Sequence, residues 1–284
     1  MVRTWAGWRS PPAGDRSGGW KGAARRHSPA DYHARVPTVL LIRHGLTAAT
    51  GKILSGRTPG LHLDERGIHQ AEALRERLRP VPLAAFVVSP LERCRETASL
   101  VLGDRAIELL ADQRLSEVDY GEWTGREIKA LAHERLWGVV QVHPSAAQFP
   151  GGEALRATQA RAVDAVRDWN ARLGPDATWA LCSHGDVIKA VLADALGLHL
   201  DQFQRIHVDP CSLSVVRYTA LRPLVLRVND TGDLADLLPP RTSRRRAHRG
   251  VPARPATEPP TGASAGTSTV RAADPTTGPA SDPA

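Results

Sequence analysis

The chain has 284 residues, a formal net charge of +7 and 42% hydrophobic residues, enough for one large or two small domains with a packed core. The charge is uneven: residues 1–36 carry +5 and residues 239–284 carry +4, so the segment 37–238 carries −2. A positive excess confined to the ends argues against a nucleic-acid-binding core, and the densest run, "RTSRRRAHR" at 241–249, reads as a solvated tail.

Both ends are rich in Arg, Pro, Gly and Ser and lack apolar periodicity. They read as disordered extensions around one globular domain over 37–238. The three cysteines, Cys94, Cys182 and Cys211, are far apart and form no CxxC, which gives neither a disulfide framework nor a zinc site. Cys182 and Cys211 sit in apolar runs and read as small core residues. The N-terminus lacks a continuous apolar h-region, and no run reaches the roughly 18 apolar residues of a membrane span. A cytoplasmic location is expected.

In chain order, "PTVLLIRH" (37–44) is an apolar run bounded by Pro and Gly and predicts a buried strand. Residues 65–78 place Ile68, Ala71, Leu74 and Leu78 at helical spacing. Residues 83–89 predict a second buried strand. Residues 90–102 predict a helix with Pro in its first turn. A strand or extended segment is expected at 107–115, and helices at 125–140 and 152–174. "TWALCSH" (178–184) predicts a third buried strand, and 185–197 its helix, closing on Gly. Residues 212–219 and 224–229 predict a terminal hairpin. Alternating strands and helices imply a three-layer α/β/α sandwich on a mainly parallel sheet, with an antiparallel edge.

Ligand sites in such sheets lie at the carboxyl ends of strands. Three predicted strands end in polar, reactive groups: Arg43-His44, Ser89-Pro90 with Arg93 beyond, and Ser183-His184. Paired guanidiniums match a phosphate dianion bidentately. Gly45 and Gly185 leave room for close approach and expose backbone N–H groups. Neighbouring Arg charges lower a histidine pKa from about 6.5 and keep an imidazole unprotonated and nucleophilic. An acid for the leaving group is available in "LSEVDYGEWTG" (115–125), from Glu117, Asp119 or Glu122. No histidine spacing suggests a metal, and the positive cluster needs none.

These segments resemble the histidine phosphatase superfamily, in its phosphoglycerate-mutase-like branch. The "RHG" signature with a Thr or Ser two residues on is matched by Arg43, His44, Gly45 and Thr47. "SPLERCRETA" (89–98) resembles the second motif and "CSHGDVI" (182–188) the last. The resemblance implies His44 as nucleophile, Glu117 as acid, and Arg43, Arg93 and His184 as phosphate holders. It also implies Thr47 and Gly185 near the phosphate. Arg57, in "GRTPGLHLDERGIHQA" (56–71), would line the phosphate pocket, and Glu153, in "FPGGEALRATQARAV" (149–163), would contact substrate. Two positions depart from the family pattern. Leu46 stands where Glu or Gln is frequent, and Thr50 where Asn is frequent.

The resulting expectation is a metal-independent phosphomonoesterase that forms a phosphohistidine on a small phosphorylated metabolite, without a cofactor. The alternatives are a phosphoglycerate-mutase-type transfer and a non-catalytic phospholigand-binding module. "DYGEWTG" and the short segment between Gly125 and Glu153 favour the phosphatase, since a mutase needs a larger water-excluding lid.

Overall fold

The computed structural model describes residues 36–232. The expected extensions, 1–36 and 239–284, lie outside these residues apart from Val36.

Six strands form one sheet: β1 (Thr38–Arg43), β2 (Phe86–Val88), β3 (Leu109–Ala111), β4 (Thr178–Ser183), β5 (Leu213–Tyr218) and β6 (Pro223–Asp230). Their spatial order is β3-β2-β4-β1-β5-β6. β1 to β4 run parallel to one another, β5 runs antiparallel to β1, and β6 closes an antiparallel hairpin with β5. The expected parallel sheet, antiparallel edge and terminal hairpin are all present.

Alternation along the strands sorts the core into two layers. Val39, Leu41, Val87, Trp179 and Leu181 pack with residues of α5 (Leu155–Leu173) and α6 (Gly185–Ala195). Leu40, Ile42, Phe86, Val88, Ala180 and Cys182 pack on the other face with α1 (Glu65–Leu78) and α2 (Glu92–Leu102). All three cysteines are free and buried.

This topology positions the site. From β1 the chain moves outward through α1 to β2, whereas from β3 it returns through α5 to β4. Right-handed crossovers in opposite directions put their helices on opposite faces. The adjacent strands β1 and β4 therefore send their chains apart, and a crevice opens at their carboxyl ends.

Several elements are shorter than the apolar patterns suggest. The expected helix at 125–140 is two short helices, α3 (Ile128–Leu131) and α4 (Arg135–Val142). Its start is diverted because Gly125 lies at φ 84° and its N–H donates to the Leu54 carbonyl, while the Ile128 N–H donates to Lys52. Residues 125–128 thus pair with 52–54 before a helix begins. The segment expected at 107–115 keeps strand geometry only over β3. The Asp112 carboxylate then accepts from the Arg114 N–H and turns the chain. Pro90 precedes α2, which starts at Glu92.

α1 buttresses the turn after β1. Its cap residue Asp64 donates its N–H to the Leu46 carbonyl and accepts from the Gly67 N–H through its side chain. A Cβ on Gly67 would stand 2.2 Å from the Leu46 carbonyl oxygen, which is backbone and cannot swing aside. Gly67→Ala is expected to destabilise the fold by about 2 kcal/mol through overpacking, read as a lowered midpoint in chemical denaturation.

Candidate active site

Strand ends and helix starts converge on a cavity of about 180 Å³. This lies below the roughly 300 Å³ at which drug-sized ligands are enclosed, and suits a small polar group. Its lining includes Arg43, His44, Thr47, Arg93, Glu117 and Gly185.

β1 delivers Arg43 and His44. The ladder to β4 continues past the strand, with the His44 N–H donating to the Ser183 carbonyl at 3.0 Å. Arg43 is held from the opposite side: its Nη1 donates to the Val208 carbonyl at 2.6 Å, and its carbonyl accepts from the Cys211 N–H at 3.0 Å. The Nδ1 of His44 lies 2.8 Å from the Gly45 carbonyl oxygen. A carbonyl only accepts, so Nδ1 carries the proton and Nε2 carries the lone pair. That Nε2 accepts from the Arg93 Nε–H at 3.3 Å. Burial, then the Arg93 and Arg43 charges, lower the His44 pKa to about 3. The imidazole is neutral at neutral pH.

Arg93 projects from the first turn of α2 and is 2% exposed. Besides His44 it reaches the Gly56 carbonyl at 2.8 Å and His184 Nδ1 at 3.2 Å. Its Nη1 is buried without a partner among the described residues, as is the Nε of Arg43. Two guanidinium donors inside one cavity are thus free to serve an anion.

His184 caps the start of α6 and is fully buried, its ring centroid 5.2 Å from that of His44. Its Nε2 pairs with Ser89 Oγ at 2.8 Å. Burial, Arg93 and His44 hold its pKa well below the ordinary value. Gly185 follows, and a Cβ there would meet the Arg43 guanidinium at 3.4 Å.

Of the three carboxyls in the acid loop, only Glu117 lines the cavity. Its Oε2 lies 3.9 Å from His184 Nδ1, and its side chain is 12% exposed. Burial, reinforced by the Asp186 charge, raises its pKa to about 7. Asp119 instead accepts from the Gly121 N–H, and Glu122 is exposed.

Other expected residues have different duties. Arg57 does not line the cavity. Its Nε donates to the Glu117 carbonyl at 2.8 Å and its Nη2 to Glu153 at 3.1 Å, so it braces the acid loop. Glu153 is likewise engaged, by Arg161 at 2.6 Å and the Asp119 N–H at 2.9 Å. The Gly45 N–H is already given to Thr97 Oγ1 at 3.0 Å. Gly45 is needed for close approach, since a Cβ would lie 2.7 Å from the Gly67 carbonyl oxygen. Thr47 is buried in the lining, and Thr50 grips it, Oγ1 to Oγ1 at 2.9 Å. Leu46 lies outside the cavity lining.

Sequence reasoning passed over Asp186 and Arg161. Asp186 lines the cavity and accepts from the Tyr120 hydroxyl at 2.8 Å and Lys189 at 3.0 Å. In sequence it reads as an ordinary acidic residue in the first turn of a helix. Arg161 donates to the Arg114 and Glu117 carbonyls from the middle of α5, where it resembles any helix-surface arginine. No group of residues suited to a metal ion is found among the described residues.

The family model for the histidine phosphatase superfamily (branch 1) matches residues 39–231, and the chain belongs to that superfamily. It is 28% identical over 194 residues to "Phosphoserine phosphatase 1" of Hydrogenobacter thermophilus, covering 64% of this chain and 88% of that protein. It is 30% identical over 183 residues to "Probable phosphoglycerate mutase GpmB" of Yersinia pestis, covering 63% and 84%. Among solved structures, the alpha-ribazole phosphatase from Shigella flexneri superposes with a TM-score of 0.62 at 26% identity, covering 68% of this chain and 96% of that one.

Folding carries His44 from the ordinary 6.5 to about 3, so between these pH values the unfolded chain holds a proton that the folded one lacks. Stability from this group is complete above 6.5 and is lost as pH falls toward 3. His44→Asn removes the effect. Relative to the unsubstituted protein, the variant is expected to gain about 2 kcal/mol between pH 7 and pH 5, measured by chemical denaturation at both values.

Proposed function

We propose that the protein is a phosphomonoesterase that works through a phosphohistidine at His44 and acts on a small phosphorylated metabolite. One observation carries this reading: a neutral His44 Nε2 faces a buried guanidinium, two guanidinium donors beside it lack partners among the described residues, and a carboxyl of raised pKa lines the same cavity.

The phosphoryl group sits between Arg43, Arg93 and His184, whose donors bind its equatorial oxygens. Burial first and the Arg93 charge second keep His184 unprotonated; the dianion offsets both, so this ring becomes a donor. Thr47 shapes the phosphate pocket, with Gly185 giving Arg43 room. His44 Nε2 attacks phosphorus and the ester P–O bond breaks. Protonated Glu117 gives its proton to the leaving oxygen. Glu117, now a carboxylate, takes a proton from water, whose oxygen attacks the phosphohistidine. The P–N bond breaks, phosphate is released, and neutral His44 and protonated Glu117 are restored. The carbonyl of Gly45 holds the Nδ1 proton throughout, which keeps Nε2 as the reacting atom.

Among the described residues no helix is long and apolar enough to cross a membrane. Three unpaired, buried cysteines support a reducing compartment, and we place the protein in the cytoplasm.

The reading is tested by 4-nitrophenyl phosphate hydrolysis with excess chelator. Turnover is expected to persist in the unsubstituted protein and to vanish in His44→Ala. A correctly folded protein without turnover defeats the proposal. Glu117→Gln is expected to slow an alkyl phosphate by about 100-fold or more, the usual worth of a general acid. The loss should be smaller for 4-nitrophenyl phosphate, whose leaving group departs without a proton. Equal losses for the two esters would remove Glu117 from the acid role.

A further inference from the structure

The cavity has one apolar wall that the phosphate chemistry does not use. Ile53, Leu54, Leu61 and Ile128 line it beside the polar groups. The segments bearing Ile53, Leu54 and Ile128 are tied together, because Ile53 bridges to Glu127 and the Leu54 N–H donates to the Arg126 carbonyl at 2.9 Å. Ile53 is 38% exposed. Four aliphatic side chains in the lining of one charged cavity offer a contact surface for an apolar group.

We propose that this site accepts phosphate esters whose leaving group is an uncharged alcohol or phenol with apolar surface, and rejects esters whose leaving group carries a carboxylate. The proposal rests on the phosphatase reading. Among the described residues, Arg43 and Arg93 are the only Lys or Arg side chains in the lining, and in the phosphatase reading the phosphoryl group occupies both. Glu117 and Asp186 line the same cavity. A substrate carboxylate would lose water beside these groups and find no cation in return. Arg57, which might have supplied one, is engaged by Glu153. Lys52 and Lys129 adjoin Ile53 and Ile128 in sequence but do not line the cavity. As the P–N bond to His44 forms and the ester P–O bond breaks, the leaving oxygen takes the Glu117 proton. A neutral alcohol then departs along the aliphatic wall.

Inorganic phosphate release by the full chain is to be compared across phenyl phosphate, phosphoethanolamine, phosphoserine and 3-phosphoglycerate. The kcat/KM for phenyl phosphate is expected to exceed those for phosphoserine and 3-phosphoglycerate by about 100-fold. A carboxylated ester within about tenfold of phenyl phosphate, or phosphoethanolamine as the best substrate, overturns the proposal. Isomerisation of 3-phosphoglycerate without phosphate release also overturns it. Silence on all four esters from a folded protein defeats the phosphatase reading itself, a different failure from a changed order of preference. Ile128→Arg places a cation in the wall and is expected to narrow the ratio of phenyl phosphate to 3-phosphoglycerate by about tenfold or more. An unchanged ratio in the folded variant shows that this wall does not select the leaving group.

Discussion

A buried positive charge organises this protein. Arg93 is 2% exposed, and among the described residues no carboxylate lies within salt-bridge distance of it. Burying a cation in this way costs several kcal/mol unless nearby dipoles and acceptors compensate. Here the Gly56 carbonyl and the two histidine nitrogens do so only in part. The remaining electrostatic demand is for an anion, and the same charge adds to burial, the larger cause, in keeping both imidazoles unprotonated. Arg93 thus both calls for an anion and helps hold the His44 imidazole neutral.

The Glu117 carboxyl is set by the opposite device. Glu117 shares its surroundings with Asp186, and burial together with that negative charge raises its pKa to about 7. The Arg93 and Arg43 charges pull it the other way, less strongly. Two ionisable groups pushed in opposite directions give a neutral base and a protonated acid in one cavity at the same pH. The loop carrying the acid is fixed by a clamp around Glu153, to which Arg57, Arg161 and the Asp119 N–H all bind. These contacts do not touch the cavity, yet they determine where Glu117 stands.

A two-sided topology makes the arrangement possible. β1 and β4 are neighbours whose chains leave to opposite faces, so Arg43-His44 and Ser183-His184 end side by side around an open crevice. α2 then brings Arg93 from a third strand end. The closeness of Gly67 to Leu46 fixes the turn after His44 from below.

The sequence alone determined the alternation of strands and helices, because continuous apolar runs and 3.6-residue periodicity are local signals. It also located Arg43, His44, Glu117 and His184, since polar residues closing apolar strands and an ordered set of motifs stand out without a structure. Tertiary packing decided the rest. The helix expected at 125–140 begins only at Ile128 because residues 125–128 found partners in 52–54, far earlier in the chain. Arg57 and Glu153 became a brace, and the Gly45 N–H went to Thr97, because each met a partner that no local pattern specifies. Asp186 gained its influence over Glu117 only when α6 was laid beside the acid loop. Local periodicity records what a residue prefers; burial and charge at a distance depend on which segments fold together.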